Sequence, residues 1–442
     1  MRYFVVFFFV LSSNTFFSQK KMKESYIDSM SLVYYSSSDI ISLRYLVNQS
    51  INQGNDFYYL RLRLGLLYFG IGNYAHAIYH LEKALNFYPA DLYSKDKLFF
   101  AYLYLNDVSS ARLIASKFPL SDRSFYLGLL GNHNLLVIES GFQWVNPSAL
   151  FTDRNAFLTS DGLYAESDRL SQVVYNQVGL GYQLGKRCSF YHGITYIQNK
   201  RKQYISYSQN SISFDSLVHY GVKQYQLYTG VNIQCNKGLL IQLGGNLFSY
   251  HATKNSVSFD TASKVYKYDI LKLNQSNYLA TFGISKTVRK WTSSLSLSSA
   301  YIDSSFFLQF GSQLTCNVFG DGSFLVSSGC AYSKSDSQNR MVYNIKTGFL
   351  IGKKSWVDLY YLGGDLTNFC DGNGYVIFNI SDKLITKTGF NIQYPFTSFF
   401  SAAIRYDLMR RESLINRYNP ALSSSSELIL NQSLITTLTW KF

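Results

Sequence analysis

His76 and His80 stand four residues apart, the one histidine spacing in this 442-residue chain that could do chemistry. On a helix, residues at i and i+4 share a face and can hold a metal ion together. No HExxH-type carboxylate accompanies them, so the spacing predicts helix-surface residues. His192 falls on the outward parity of an alternating segment, and His133, His219 and His251 lie in connecting stretches. No Ser-His-acid set can be assembled with any specificity. The five cysteines, Cys188, Cys235, Cys316, Cys330 and Cys370, have no CxxC spacing, and an odd count makes no disulfide framework. Cys316 and Cys330 read as small fillers on adjacent strands. Glycine-rich phosphate loops are absent, and Gly320-Asp321-Gly322 is a turn signal. The expectation is therefore no catalytic, cofactor or metal site, and no enzyme.

Charge offers a second kind of chemistry if it is gathered inside a closed wall. Glu139, Lys346, Asp358, Lys387, Arg405, Asp407 and Lys441 fall on the polar parity of alternating segments. Lys387, Arg405 and Asp407 would face one another across the last hairpins, and Glu139 would approach Lys441 where the sheet closes. Two readings stand open: a network that compensates its own charge, or a constriction that selects what passes.

The elements that must carry these residues are strands. In the last sixteen residues, Leu428, Leu430, Leu434, Leu438, Trp440 and Phe442 share one parity, while Asn431, Ser433, Thr437 and Thr439 share the other. A period of two makes one face apolar and one polar. The pattern recurs from Leu136 onward, as where Phe306, Leu308, Phe310 and Leu314 alternate with Gln309, Gly311, Gln313 and Thr315. A soluble sandwich would put charge on its outer face; Gln, Asn, Ser, Thr and Gly instead suit a confined wet lumen. About fourteen such segments occur, with about twelve or sixteen also open because Gly374-Tyr375-Val376-Ile377-Phe378 is ambiguous. Short turns alternate with longer polar links at 146–171, 199–222, 251–274, 363–383 and 410–426. Trp144, Tyr182, Trp291, Tyr301, Tyr332, Tyr394 and Trp440 sit at strand ends, where aromatic girdles belong. A strand ending on a terminal Phe resembles the last strand of outer-membrane β-barrels. That resemblance implies that Trp440 and Phe442 form the signal read by the barrel assembly machinery.

Composition agrees. Aromatics make up 17% and charged residues only 15%, interleaved so that mean hydropathy is near zero, and no internal run is long enough for a spanning helix. The net charge of +14 would suit nucleic acid, but its placement does not. Lys186-Arg187, Lys200-Arg201-Lys202, Arg289-Lys290, Lys353-Lys354 and Arg410-Arg411 sit at turns and links, where cations meet anionic lipid headgroups. The apolar run Tyr3–Leu11 after Met1-Arg2 reads as a cleavable secretory signal over 1–19.

From about Lys23 to Pro119 the period is helical. Leu64-Gly65, Tyr68, Gly72, Tyr74, Ala77, Leu81, Ala84 and Pro89 resemble the tetratricopeptide repeat of about 34 residues. Leu98, Tyr102, Asn106, Ala111 and Ala115 repeat it more loosely, and a degenerate pair lies upstream at 26–35 and 40–52. The resemblance implies that first helices line a concave face. It places Tyr59, Leu62, Leu66, Phe69, Tyr93, Phe100, Leu103 and Tyr104 there, facing a bound peptide or partner helix or covered by the protein's own elements.

The expected architecture is multidomain α + β, a short tetratricopeptide-type α-solenoid followed by an antiparallel transmembrane β-barrel. The boundaries are a signal peptide (1–19), helical repeats (20–119), a linker (120–135) and the barrel (136–442). This order resembles exopolysaccharide-export porins and YaiO-like barrels. It implies the outer membrane of a Gram-negative bacterium, with the repeats in the periplasm docking a protein or nascent polymer. The function expected is a conduit for a polysaccharide or other solute; the alternative is a closed barrel that anchors the repeats for an assembly or secretion complex. Partners would be outer-membrane lipid, the assembly machinery and that periplasmic protein or polymer, with no nucleic acid and no cofactor.

Overall fold

The computed structural model describes residues 22–131, 134–145, 164–209, 212–235, 238–260, 265–335, 338–352, 354–378, 382–417 and 425–442. The expected signal peptide lies outside them. The first elements are helices α1 (Glu24–Ser36), α2 (Ile40–Asn52), α3 (Tyr58–Gly70), α4 (Tyr74–Phe87), α5 (Leu92–Tyr104), α6 (Val108–Ala115) and α7 (Leu120–Leu130). The first six form three antiparallel pairs. Each pair turns on a residue with positive φ, Ser38, Gly72 or Asn106, followed by an acidic or amide cap, Asp39, Asn73 or Asp107, whose side chain accepts from the next helix. Turn and cap recur every 34 residues (38, 72, 106), because only that conformation folds one helix back on its predecessor. Asp91 caps α5 and also accepts 2.6 Å from the Tyr58 hydroxyl, tying the third pair to the second. Gly65 lies against Leu81, and a Cβ there would sit 3.1 Å from that side chain, so the glycine sets how closely α3 and α4 pack. Leu43, Leu60, Leu64, Leu81, Leu98 and Phe99 fill a single core. The stretch expected as a linker, 120–135, is mostly helix: Pro119 starts α7, and Phe118 stacks on Tyr126 at 3.8 Å.

Strands follow: β1 (Leu135–Val145), β2 (Tyr164–Leu184), β3 (Cys188–Gln209), β4 (Ile212–Gln234), β5 (Leu239–Asp260), β6 (Val265–Val288), β7 (Trp291–Ile302), β8 (Ser305–Asn317), β9 (Phe324–Ser335), β10 (Asn339–Ile351) and β11 (Ser355–Gly364). A short pair, β12 (Cys370–Asp371) and β13 (Val376–Ile377), interrupts the series before β14 (Lys383–Pro395), β15 (Phe400–Arg417) and β16 (Ser425–Lys441). All but β12 and β13 pair in sequence order into a closed antiparallel barrel of fourteen strands, sealed where β1 meets β16. Leu180, Leu227, Leu247, Phe282, Phe310 and Leu434 face outward and are exposed, while Gln177, Gln226, Asn246, Thr281 and Ser433 face inward and are buried. On β7 the outward rings of Trp291 and Tyr301 are ten residues apart. That is about 33 Å of strand at ~3.3 Å per residue, or about 25 Å of height after a tilt of ~40°, matching the apolar band of a transmembrane barrel.

Two of the expected links, 199–222 and 251–274, are largely strand. β2 to β6 run 21 to 24 residues, against 10 to 13 for β7 to β11, so one wall rises well above the band. Polarity misleads there: backbone ladders persist above the membrane, where both faces can be wet and the apolar alternation lapses. The Lys200-Arg201-Lys202 triplet thus lies within β3 rather than in a loop.

The helices dock against the short-turn rim. Ala75, whose N–H is an orphan of the first turn of α4, donates to the Gly320 carbonyl at 2.9 Å. Gln234 donates to the Ser110 hydroxyl at 3.0 Å, and the Arg289 guanidinium lies 4.3 Å from the centre of the Tyr79 ring. His80 is buried in this region rather than on the surface, and Tyr68 stacks on both His76 (4.9 Å) and His80 (5.7 Å). Burial, reinforced by Lys290, Arg289 and Arg44, brings His76 down to about 4; burial with Arg61, Arg289 and His76 brings His80 down to about 3. Both are neutral when folded, whereas the unfolded chain takes up protons near 6.5. The helices are therefore most stable above that value and lose stability as pH falls toward 4 and then 3. Chemical denaturation followed by helical circular dichroism should show a midpoint that drops between neutral pH and pH 4, and His80→Phe, which keeps the ring on Tyr68, should flatten that dependence.

Candidate functional site: charges and a hairpin across the lumen

Six of the seven charges expected in the lumen come together on the inner wall of β1, β10, β11, β14 and β15. Arg405 reaches Glu139 at 3.5 Å and Asp407 at 3.7 Å; Lys387 reaches the same Asp407 at 3.4 Å; Lys346 meets Asp358 at 3.2 Å. Ser433 and Thr437 donate to Asp407 and Glu139 at 3.0 Å, and Tyr360 donates its hydroxyl to Asp407. Gly389 leaves room for that crossing, since a Cβ there would strike the Tyr360 hydroxyl and the Asp407 carboxylate. Glu139, Arg405, Asp407 and Lys387 alternate in one chain and Lys346–Asp358 forms a second pair beside it, so the six charges are neutral as a set. Lys441 does not join it. Register sets Lys441 opposite Leu135 and Glu139 opposite Thr437, which leaves the lysine at the rim, four residues along the strand from Glu139.

The described residues of 363–383, a stretch expected as an outer link, instead fold into the barrel. Cys370–Asp371 pairs with Val376–Ile377 around a single 3₁₀ turn at Gly372–Gly374. Leu366, Phe369 and Phe378 pack against Ala331, Val342, Leu362, Leu384 and Met409 on one wall. Cys370 and Ile377 pack against Phe248, Leu279, Ala300 and Phe307 on the adjoining arc of β5 to β8. Polar contacts complete the crossing: Gln309 exchanges two bonds with the Cys370 backbone (2.8 and 3.0 Å), and Asn246 donates to the Gly374 carbonyl at 3.0 Å. At the tip, Tyr375 meets Gln177 and the Tyr191 hydroxyl. With the Tyr228 ring of β4 also 5.1 Å from that of Tyr375, the hairpin touches β2 to β11, β14 and β15 and spans the lumen.

The entry to β14 is tied by charge. Asp382 lies 3.7 Å from Arg201 of β3 and 4.0 Å from Arg411 of β15, while Asp168 holds the other side of Arg201 at 2.8 Å. Of the basic triplet on β3, the central residue therefore serves the inner face. Below the hairpin, toward the short turns, a cavity of about 470 Å³ remains, lined by the charge network together with Gln313, Asn344, Gln393, Ser401 and Thr439. The last three lie within two residues of their strand ends, so the cavity reaches down to the rim.

The expected helical groove divides in two. Tyr59, Tyr93 and Tyr104 are 55%, 51% and 53% exposed, whereas Leu62, Leu66, Phe69, Phe100 and Leu103 are packed against the helical core. Lys97 lies over Phe69 and Tyr93, and Tyr104 lies 4.9 Å from Tyr74. The barrel contacts described above come from α4 and the start of α6, and leave these three tyrosines open. Among the described residues no three metal-ligating side chains gather, and all five cysteines are free. Trp440 and Phe442 end β16 at the short-turn rim, where Phe442 donates its N–H to Asn134 at 3.0 Å.

Sequence reasoning missed the hairpin. Its one signal was the apolar run Tyr375–Phe378 flanked by Gly372 and Gly374, which fits a strand but does not say which side of the wall it occupies.

Such a wall, with an apolar outer band, polar inner face and aromatic rims, is that of a transmembrane β-barrel. No protein-family model matches the sequence, and no curated protein does. Among solved structures it is similar to the toluene transporter TodX of Pseudomonas putida at 9% identity and TM-score 0.46, covering 72% of this chain and 91% of that one. A FadL homologue of Pseudomonas aeruginosa gives 9% and 0.44, with 70% and 90% covered, and a bacterial polysaccharide outer-membrane secretin gives 9% and 0.35, with 70% and 99% covered. These are likenesses of architecture.

Asp382 is the carboxylate shared by two buried guanidiniums, and stranding a buried charge costs roughly 3–5 kcal/mol. Asp382→Asn should therefore lower the barrel's thermal midpoint and speed hydrogen exchange at the Asn368 and Phe378 amides, which bond across the hairpin. Unchanged exchange there would show that the apolar clusters alone hold the hairpin.

Proposed function

We propose that this protein is a conduit in the outer membrane of a Gram-negative bacterium, held shut by its own 366–378 hairpin. In this reading the helices lie in the periplasm as tetratricopeptide-type repeats. The observation that carries the proposal is a polar inner wall with a cavity that reaches the short-turn rim and stops at the hairpin. An anchor needs no such vestibule.

Closure is firm. Leu366, Phe369, Cys370 and Phe378 are nearly or fully buried against the walls, and each apolar side chain of that size contributes about 1.5–3 kcal/mol. Thermal withdrawal of the hairpin is thus rare, and opening calls for a partner or cargo. The neutral charge network sets no sign preference for what passes, so polar, uncharged or charge-balanced cargo such as a saccharide chain suits it better than a simple anion. The docked repeats contact turns of β4 to β9, while the vestibule lies under β10 to β1, so a partner on Tyr59, Tyr93 and Tyr104 would leave the path free. The second reading, a closed anchor presenting the repeats, is favoured by the two apolar clusters that glue the hairpin in place.

Planar-bilayer recording separates the two. Full-length protein should be nearly silent, and a version with 368–378 replaced by a short Gly-Ser link should give steady steps. Silence in both, with insertion verified, would leave the anchor. For the repeats, replacing Tyr59, Tyr93 and Tyr104 with alanine should abolish capture of the partner that the wild-type chain retains from periplasmic extract, without shifting the helical melting transition. A shift of that transition would assign the rings to stability instead.

A further inference from the structure

Adjoining the vestibule, with Glu139, Val376, Lys387 and Arg405 common to both linings, a second cavity of about 170 Å³ lies against β1, β15 and β16. Its polar lining is not satisfied by the chain. Arg411 is 1% exposed, yet among the described residues its Nε and Nη1 have no hydrogen-bond acceptor. Its one carboxylate, Asp382, stands 4.0 Å away and is shared with Arg201. Gln143 opens on the same cavity with its Nε2 unpartnered. Beside them, the Ser413 hydroxyl and both amide atoms of Asn431 are buried without partners. Register explains the clustering: Asn431 stands opposite Met409 on β15 and Val145 on β1, so these inward positions adjoin on three neighbouring strands.

The other charges in the lining are already spoken for. Arg405, Lys387, Glu139 and Asp407 close on one another, which leaves the Arg411 guanidinium as the group short of an anion. A buried guanidinium without a close, well-aligned acceptor is costly, and forked N–H donors match a carboxylate or phosphate. Water needs only about 10–15 Å³ per molecule, so the cavity has room for more than solvent, and water would bring no compensating charge. Tyr375 and Phe378 of the hairpin form the facing side.

We infer that this cavity is a binding site for a small organic anion. Its carboxylate or phosphate group sits between Arg411 and Gln143, and its hydroxylated body lies toward Gln226, Ser433 and the Tyr375 ring. The ligand bridges wall and hairpin, so its occupancy fastens the hairpin. Binding does not depend on whether the barrel conducts.

The test uses full-length protein refolded in detergent in the presence of the probe, so that no path into the closed barrel is required. Gluconate, its uncharged counterpart sorbitol, and inorganic phosphate are each measured by equilibrium dialysis and by the barrel's thermal midpoint. Gluconate should be retained at one per chain and raise the midpoint, with sorbitol doing neither. Arg411→Gln, which removes the charge, and Gln143→Glu, which places a carboxylate in the cavity, should each weaken retention by at least about tenfold. Folding of each variant is checked by heat-modifiable gel migration, and either folded variant suffices. Retention of phosphate with the same dependence on Arg411 would identify a phosphate group as the occupant. Equal retention of gluconate and sorbitol, equal retention by wild type and the folded variants, or no retention of either anion would overturn the site.

Discussion

Every other feature follows from closure of the sheet. A strand in hydrocarbon cannot leave its N–H and C=O groups unpaired, so the last strand must find the first. Here β1 lies between β16 and β2, with eleven consecutive residues of β1 matched to β16. Closure makes inside and outside different solvents, and side-chain parity then sorts each residue between them. Because the register of that seam is set by the whole ring, it also decides which inward charges meet. Glu139 faces Thr437 and reaches Arg405, while Lys441 is left at the rim.

A ring of fourteen strands encloses more space than its own side chains fill, and the protein fills it with chain. The inserted hairpin is held by apolar clusters on two adjoining arcs of the wall and by polar bonds at its tip. Its entry and exit are short: Leu366 and Leu384 are joined backbone to backbone at 2.9 Å, so little loop-closure entropy opposes insertion. The unequal wall, tall over β2 to β6, supplies Arg201 at the height where Asp382 needs it.

The helices use the same economy of unsatisfied groups. The first turn of α4 finds its acceptor in the Gly320 carbonyl of a barrel turn, so a helix start and a hairpin end complete each other. Gly320 and Gly322 both hold positive φ there, and Asn317 accepts from both of their N–H groups at 2.9 and 3.2 Å. That contact ties the repeat geometry to the β8–β9 turn and gives the helical unit a defined seat on one arc of the rim.

Much of this was legible in the sequence, and the reason is periodicity. Alternation along β16 or β8 reports a local fact, which face of a strand is wet, and a local pattern survives without knowledge of neighbours. The helix pairs were legible likewise, through Gly65, Gly72 and the small residues that close packing demands. Even the 34-residue recurrence of turn and cap, Ser38-Asp39, Gly72-Asn73 and Asn106-Asp107, is written in the chain. What the tertiary structure alone decided depends on distance around a closed ring: which charges pair, how far strands run above the apolar band, and whether 363–383 lies outside or within. An apolar run such as Tyr375–Phe378 is equally content against lipid, a partner or a lumen wall. Only the volume left inside fourteen strands, and the two apolar patches on its inner wall, direct it inward.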